Sequence, residues 1–260
     1  MASQRLTWKW RVIAAIVVSI VKLARWRIDV QGLDNVPRGS GAVLAFNHHS
    51  YADFIMLAWG PVRQLQRPVR FLAKREIWAS RWVGWVVRWG EAVPVDRSSH
   101  AARSGAFDAA AQALISGDLV AIAPEQTISQ SFELLPFRTG AVRMAQQSGA
   151  PIVPTIGWGS QRFATKGHGP RLVTRLPVTV RFGKPMTVGS DEDPAAATER
   201  LQQHMTTLLH EVQTEYPDGA PAGAQWVPAR LGGAAPRHED VLRDHERRLR
   251  GWEDGHGSEG

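Results

Sequence analysis

The chain has 260 residues, of which 43% are hydrophobic, a formal net charge of +7 and no cysteine. This length and hydrophobic fraction are sufficient for one substantial α/β core and do not demand a second catalytic domain. The lack of cysteine excludes disulfides and thiol nucleophiles, and the positive charge predicts attraction to an anionic surface, either lipid headgroups or nucleic acid.

The N-terminal segment combines a short apolar run with basic and aromatic flanks. Residues 12–21 carry no charge. Trp8 and Trp10 precede them, and Lys22 follows them. As a helix these residues extend ~15 Å, which is about half of the ~30 Å hydrocarbon core of a bilayer. The pattern therefore predicts an interfacial amphipathic helix within residues 1–26 rather than a membrane span. A soluble helix that packs on the domain is the alternative.

A histidine and a carboxylate follow the first predicted strand, residues 42–46. Positions five apart on one helix point ~140° away from each other, so His48 and Asp53 can meet only if the chain turns between them. Ser50-x-x-Asp53 matches a capping box, with Ser50 as N-cap and Asp53 at the third helical position. A carboxylate beside an imidazole can fix its tautomer for general-base catalysis. The alternative is that Asp53 merely caps a helix and His48 is an ordinary loop residue.

Four tryptophans recur at helical spacing between residues 75 and 89. Trp78, Trp82, Trp85 and Trp89 fall at i, i+4, i+7 and i+11, within about 60° of one helical face. Each buried tryptophan removes ~150 to 250 Å² from water, so this face is not expected to remain solvated. It is predicted either to pack into the core or to contact an acyl chain or the membrane interface.

The rest of the chain alternates strand and helix patterns. Apolar strands ending on polar loops are predicted near residues 93–97, 119–123, 150–155 and 177–183, and helices near 101–116, 140–148 and 194–216. This order predicts an α/β domain over residues 27–216, with a mixed central sheet flanked by helices and a site at the carboxyl ends of the strands. Residues 217–260 are predicted to form a flexible Pro/Gly/Ala-rich and charged tail, in which Trp226 could dock back.

Four of these segments, in order, resemble the four sequence blocks of the glycerolipid acyltransferase family, which includes the lysophosphatidic acid acyltransferases. Residues 47–53 are similar to the family's His-x4-Asp block, and Arg97 matches the arginine that closes the second block. Residues 125–129 resemble the third block, Glu-Gly-Thr-Arg-Ser, and residues 151–154 the fourth. The resemblance covers about residues 27–190, and four blocks in order are far more specific than His-x4-Asp alone.

The resemblance implies an O-acyltransferase that uses acyl-CoA or acyl-carrier protein as co-substrate and a lysophospholipid, 1-acyl-sn-glycerol 3-phosphate, as acceptor. It implies that His48 takes the proton of the acceptor hydroxyl and that Asp53 orients the imidazole, without a covalent acyl-enzyme, a bound cofactor or a metal. Acceptor contacts are then expected from Lys74, Arg97, Glu125, Gln126, Thr127 and Arg138.

Two residues depart from the family pattern of the third block. Gln126 stands in place of glycine, which removes easy access to positive φ, and Ile128 stands in place of arginine, which removes a cation. Either Arg138 compensates for the lost cation, or the acceptor is a different lysolipid or a glycolipid.

Several other classes lack their sequence signatures. The chain has no Gly-x-Ser-x-Gly elbow, Walker A loop, Rossmann glycine fingerprint or His-Glu-x-x-His motif, and His48, His49 and Asp53 lack a further cluster of metal ligands. Its tryptophans fall in helical register rather than on strands that present bases, so nucleic acid is not an expected partner. The expected setting is an anionic membrane surface, with the protein peripheral or monotopic on the cytoplasmic face of the cell membrane. A noncatalytic membrane-binding protein that keeps the acyltransferase fold is the alternative.

Overall fold

A single mixed sheet runs through the centre of the structure, a computed structural model that describes residues 6–79, 84–95 and 100–256. Its strands lie in the order β1-β7-β6-β2-β5-β3-β4. Strands β6, β2, β5, β3 and β4 are parallel, whereas β7 pairs antiparallel with β6 and carries β1 in parallel at the edge. The bounds are β1 (Arg27–Gln31), β2 (Ala42–Phe46), β3 (Val69–Lys74), β4 (Val93–Val95), β5 (Leu119–Ile122), β6 (Ile152–Trp158) and β7 (Pro177–Phe182).

Helices cover both faces of the sheet, which confirms the predicted α/β architecture. Helices α5, α6 and α7 pack on one face, and α1 and α2 pack on the other. The bounds are α1 (Trp8–Leu23), α2 (Asp53–Gln64), α3 (Arg75–Trp78), α4 (Gly84–Trp89), α5 (His100–Ile115), α6 (Gly140–Ser148), α7 (Pro194–Thr214) and α8 (His238–His256).

Strand β2, the first strand predicted from the sequence, has no alternation of polar and apolar residues. Val43 and Ala45 pack into the core on one face, and Leu44 and Phe46 pack into the core on the other. A strand that is buried on both faces is apolar throughout, as central parallel strands usually are. The polar residues that follow Phe46 therefore begin abruptly at the edge of the sheet.

Helix α2 begins later than the capping box predicts. It starts at Asp53, with Ala52 as cap, so Asp53 occupies the first helical position rather than the third. Half of the box is present, because the Asp53 carboxylate accepts from the Ser50 backbone N–H at 2.7 Å. The Ser50 hydroxyl instead donates to the carbonyl oxygens of Ser160 and Ala164, at 3.0 and 2.7 Å. Contacts with a distant loop thus override the local helix signal.

The helical spacing of the four tryptophans suggests one continuous helix, but α3 ends at Trp78 and α4 begins at Gly84. In a single helix the Trp78 carbonyl would accept from the backbone four residues later. Here it accepts from Arg88 Nη1 at 2.8 Å, and a Cβ on Gly84 would lie only 2.5 Å from it. Glycine therefore lets α4 fold closely against α3. Trp82 lies outside the described residues.

The segment after Tyr216, predicted to be flexible, packs on the domain. Val227 is 1% exposed, and the Trp226 ring centroid lies 5.7 Å from that of Tyr216. The Arg162 guanidinium lies 4.5 Å from the centre of the Trp226 ring. Because cation–π and aromatic contacts of this kind favour a fixed position, Trp226 anchors a sequence whose glycine and proline content predicts flexibility.

Helix α1 lies on the domain and keeps one face in solvent. Its inner face buries Trp10 and Val21, while Trp8 meets the Trp89 ring of α4 at a centroid distance of 5.4 Å. The outer face exposes a row of large apolar side chains at helical spacing: Trp8, Val12, Ile16, Ile20 and Leu23. In the part of the chain that the structure describes, no helix has the length and apolar character needed to cross a bilayer.

Candidate active site

The candidate site lies where three neighbouring parallel strands end. Residues 47–53 follow β2, residues 123–131 follow β5, and residues 159–165 follow β6. Strand β2 lies between β5 and β6 in the sheet. The polar loops after these strands consequently meet at one edge of the sheet, as expected for sites in open α/β folds.

The buried carboxylate of Asp53 is the centre of this edge. Its Oδ2 accepts from the backbone N–H groups of His49 and Ser50, at 2.8 and 2.7 Å. Its Oδ1 accepts from the Ser160 hydroxyl at 2.7 Å. Asp53 is 3% exposed, so these donors replace the water that the charge would otherwise require.

His48 completes the cluster. Its Nδ1 lies 3.1 Å from Asp53 Oδ2. An ionised carboxylate can only accept, so Nδ1 donates and the neutral ring keeps its lone pair on Nε2. The imidazole packs edge-on to Phe46 and Phe54, with ring centroids 6.1 and 5.3 Å away, and its side chain is 14% exposed. The pair therefore has the geometry of an oriented general base.

Glu125 binds the backbone of the same turn. Its Oε1 accepts from the His48 N–H at 2.8 Å and its Oε2 from the Leu135 N–H at 2.9 Å. The sequence predicts a substrate contact for Glu125, but the residue is 1% exposed and both its oxygens are engaged. Burial raises the pKa of Glu125 to about 8. The structure thus gives it the role of fixing the position of His48.

Residues 126–128 form a rim beside His48. The loop is attached to His48 on both sides, because Glu125 accepts from its N–H and the Ser129 N–H donates to its carbonyl at 2.9 Å. Gln126 is exposed and adopts φ +59°, a conformation that favours glycine. The backbone therefore keeps the left-handed conformation even though Gln126 replaces the family's glycine in this block. Thr127 is half-buried, whereas Ile128 is buried and supplies no charge.

The remaining predicted contacts are placed less closely. Lys74 is the last residue of β3, next to β5 in the sheet, and therefore ends at the same edge. Arg138 is exposed, and its backbone N–H donates to the Pro124 carbonyl at 3.0 Å. Arg97 lies outside the described residues. Trp85 and Trp89 contact each other, and Trp89 also contacts Trp8 of α1.

Residues of the loop between β6 and β7 also hold the turn that carries His48 and Asp53, and no sequence pattern indicated them. Besides Ser160, Thr165 donates from Oγ1 to the His49 carbonyl at 2.7 Å. The Ala164 carbonyl accepts from the Tyr51 N–H at 3.3 Å. These contacts join positions more than a hundred residues apart, so no local pattern could have revealed them.

His49 lies beneath the turn and does not share the role of its neighbour. It is fully buried, edge-on to Phe132 and Trp158, and its Nδ1 lies 3.0 Å from Asn47 Nδ2. Burial lowers the pKa of His49 to about 4, so the ring is neutral at physiological pH. Within the described ranges, no three His, Asp or Glu side chains come together as metal ligands.

Comparisons with known proteins agree with this arrangement. Residues 27–158 match the sequence model of the family described as Acyltransferase. The chain is 28% identical over 200 residues to a 1-acyl-sn-glycerol-3-phosphate acyltransferase of Bacillus subtilis (strain 168), a match that covers 75% of this chain and 94% of the relative. It is 27% identical over 208 residues to the human 1-acyl-sn-glycerol-3-phosphate acyltransferase alpha, covering 79% and 71% of the two chains.

A solved structure has the same fold. The crystal structure of the 1-acyl-sn-glycerophosphate (LPA) acyltransferase from Thermotoga maritima superposes with a TM-score of 0.64 at 21% sequence identity. The match covers 79% of this chain and 80% of the other. The likeness in architecture therefore extends well beyond the residues of the matched family segment.

The buried His49 predicts a loss of stability in acid. Because the folded pKa, about 4, lies below the value of 6.5 for the free side chain, protons bind the unfolded chain first as the pH falls. The contribution is complete above pH 6.5 and is lost towards pH 4, and it amounts to about 3 kcal/mol. Urea unfolding at pH 7.5 and 4.5 should show a smaller decrease for His49→Gln than for the native chain. An equal loss of stability in the native chain and in His49→Gln would contradict this assignment. It would also be contradicted if the exposed control His168→Gln showed the same smaller loss as His49→Gln.

The hydrogen bond from Ser160 to Asp53 predicts a measurable structural role. Ser160→Ala leaves a buried carboxylate oxygen without this donor, so the free energy of unfolding should fall by about 1 to 3 kcal/mol. Ser190→Ala is the matched control, because the Ser190 hydroxyl donates to Asp191 Oδ1 at 2.9 Å on the surface. Its effect should stay within about 0.5 kcal/mol. Urea denaturation would count against the proposed support of Asp53 if the two variants were equally stable.

Proposed function

The chain belongs to the Acyltransferase family and is an O-acyltransferase, and on this premise we propose that it acylates 1-acyl-sn-glycerol 3-phosphate to give phosphatidic acid. The observation that carries the proposal is the His48–Asp53 pair, held by backbone donors at the carboxyl edge of the sheet. The acceptor named for the relatives in Bacillus subtilis and human supports the choice of substrate.

In the proposed reaction, His48 acts as general base. Its Nε2 takes the proton of the acceptor hydroxyl while the oxygen attacks the thioester carbonyl of the acyl donor. The new C–O ester bond forms as the C–S bond breaks, and the imidazolium returns the proton to the departing thiolate. Asp53 holds the ring through Nδ1 and stabilises its protonated form. The step needs no covalent acyl-enzyme, and the chain has no cysteine to form a thioester.

The acyl donor is a co-substrate, and we propose no bound cofactor. Either acyl-CoA or acyl-carrier protein provides the thioester that this mechanism requires. Both carriers are anionic, which agrees with the net charge of +7.

For the acceptor phosphate we propose contacts from Lys74, Arg97 and Arg138, with Gln126 and Thr127 on the rim beside His48. Ile128 is 7% exposed and apolar, so the cation that usually follows in this block must come from elsewhere. Arg138 is exposed at the end of the same loop and can bind a phosphate in a bidentate manner. This assignment makes Arg138 the replacement for the family's arginine.

We further propose that the protein is peripheral to the cytoplasmic face of the cell membrane, with α1 lying in the interface. The outer row of α1 exposes Trp8, Ile16, Ile20 and Leu23, and Lys22 follows in its last turn. An amphipathic helix with basic and tryptophan residues at its ends favours headgroup depth. A lipid acceptor would then reach the site without leaving the membrane.

The function is tested with His48→Ala and a panel of lysolipids offered together with radiolabelled acyl-CoA. Loss of the base should reduce turnover of lysophosphatidic acid by about 10²- to 10⁴-fold while circular dichroism is unchanged. The matched control is His204→Ala, which removes an exposed histidine from α7 and should retain native turnover.

Full turnover by His48→Ala would remove His48 as the base. Preference of the native enzyme for another acceptor would correct the substrate. If the native protein transferred no acyl group to any lysolipid or glycolipid yet bound vesicles, a noncatalytic membrane-binding role would replace the proposal.

The position of α1 is tested by the double variant Ile16→Gln/Ile20→Gln. Removing two apolar side chains from the outer face should weaken sedimentation with liposomes at least tenfold, about 1.4 kcal/mol or more. Ile115→Gln is the control, because Ile115 of α5 is 48% exposed, close to the 44% of Ile16, but lies on the other side of the sheet. Unchanged sedimentation of the double variant would refute the interfacial helix.

A further inference from the structure

The loop between β6 and β7 carries an unusual surface residue. Leu172 is 90% exposed and follows Arg171, and Arg175 comes three residues later. The other side of the chain at this point is fixed, because Val173 packs against the core that α1 and α2 share. An exposed leucine between arginines, next to a half-buried valine that packs on the core, is held at the surface rather than free to fold inward.

This loop is attached to the end of α1. The Arg175 N–H donates to the Ala24 carbonyl at 2.9 Å, and Trp26 Nε1 donates to the Val173 carbonyl at 2.7 Å. The Trp26 ring also packs edge-on to Phe163 at a centroid distance of 5.1 Å. These contacts bring the loop beside the last turn of α1, where Leu23 is 87% exposed.

The two most exposed of the large apolar side chains in the described residues, Leu172 and Leu23, therefore belong to one corner of the molecule. Exposed basic residues flank both leucines in the sequence. We define the leucine corner by Leu23 and Leu172 together with Lys22, Arg25, Arg171 and Arg175. Scattered single leucines on a surface are ordinary, but two exposed leucines that are both flanked by basic residues, at the end of an apolar helical face, are not.

We propose that the leucine corner is a second membrane contact, specific for an anionic bilayer surface. Leu23 is both the last residue of the outer row of α1 and a member of the corner, so both surfaces can enter the interface together. Its cations lie beside them at the depth of lipid headgroups, where each Lys or Arg adds to the attraction. Charge complementarity and continuity with α1 thus identify the same partner.

The corner is also connected to the candidate site. The loop that carries Leu172 begins with the residues that hold the catalytic turn, through the Thr165 bond to the His49 carbonyl and the Ala164 carbonyl that accepts from Ser50. A bilayer against the corner would therefore contact the same loop that supports Asp53. The membrane contact depends on the proposed function in one respect only, namely that a lipid acceptor gives the protein a reason to bind a bilayer.

The test measures binding to vesicles of phosphatidylcholine with 30 mol% phosphatidylglycerol. At about 0.1 M salt, Arg171→Gln/Arg175→Gln should weaken binding about 30-fold, because the two cations contribute roughly equal shares of the free energy of binding to an anionic surface. Leu172→Gln should weaken it about three- to tenfold. Near 1 M salt the arginine variant should bind like the native protein, since screening removes its advantage, while the leucine variant should stay weaker.

The matched control is Arg143→Gln/Lys184→Gln. It removes two charges from exposed positions away from the corner, because Arg143 lies in α6 on the opposite face of the sheet, and Lys184 follows the end of β7 whereas Arg175 precedes its start. It should change binding less than twofold. Equal weakening in this control would mean that only net charge matters, and native binding by both corner variants would mean that the corner does not contact lipid; either result overturns the proposal.

The vesicle assay requires no turnover, so its outcome is independent of the acyl transfer assay. With a short-chain lysophosphatidic acid below its aggregation concentration, the corner variants should keep native turnover because none of the altered residues touches the catalytic turn. If acyl transfer failed in every form while the corner variants still lost vesicle binding, the proposed function would fall and the membrane contact would stand.

Discussion

The structure around His48 depends on one buried carboxylate. Asp53 accepts two backbone N–H groups from its own turn and the Ser160 hydroxyl from a distant loop, and it then accepts from the imidazole. Each donor offsets part of the cost of removing a charge from water. Because the carboxylate is held at several points, it favours one orientation of the ring and the tautomer that donates from Nδ1. Orientation of the imidazole is therefore a property of the fold, not of the His-x4-Asp segment alone.

Much of this could be predicted from the sequence. The run 42–46 is apolar because β2 is buried on both faces, and the polar residues after it mark the edge of the sheet. The spacing of His48 and Asp53 required a turn, and the structure has that turn. The third block also lies beside His48, as its resemblance implied, although Glu125 binds backbone donors rather than facing a substrate. Predictions succeeded where burial and strand ends leave a local pattern.

Other features could not be predicted, for physical reasons that differ. Ser160 is an ordinary turn residue in its local sequence, and its importance comes from its bonds to Ser50 and Asp53, more than a hundred positions away. The tryptophan spacing suggested one helix because periodicity does not register the close approach that Gly84 permits between α3 and α4. The tail appeared flexible from its glycines and prolines, but contacts of Trp226 with Tyr216 and Arg162 hold it. In each case a tertiary contact outweighs local propensity.

The most direct test of the central claim is the tautomer of His48, read from ¹H–¹⁵N long-range correlations of histidine-labelled protein, with His48→Gln to assign the signal. If Asp53 accepts from Nδ1, the neutral ring should carry its proton on Nδ1 and show an unprotonated Nε2. A neutral ring with its proton on Nε2 would have its lone pair on Nδ1, which faces Asp53, and none on Nε2 for an incoming hydroxyl. That result would contradict the account of His48 as an oriented base.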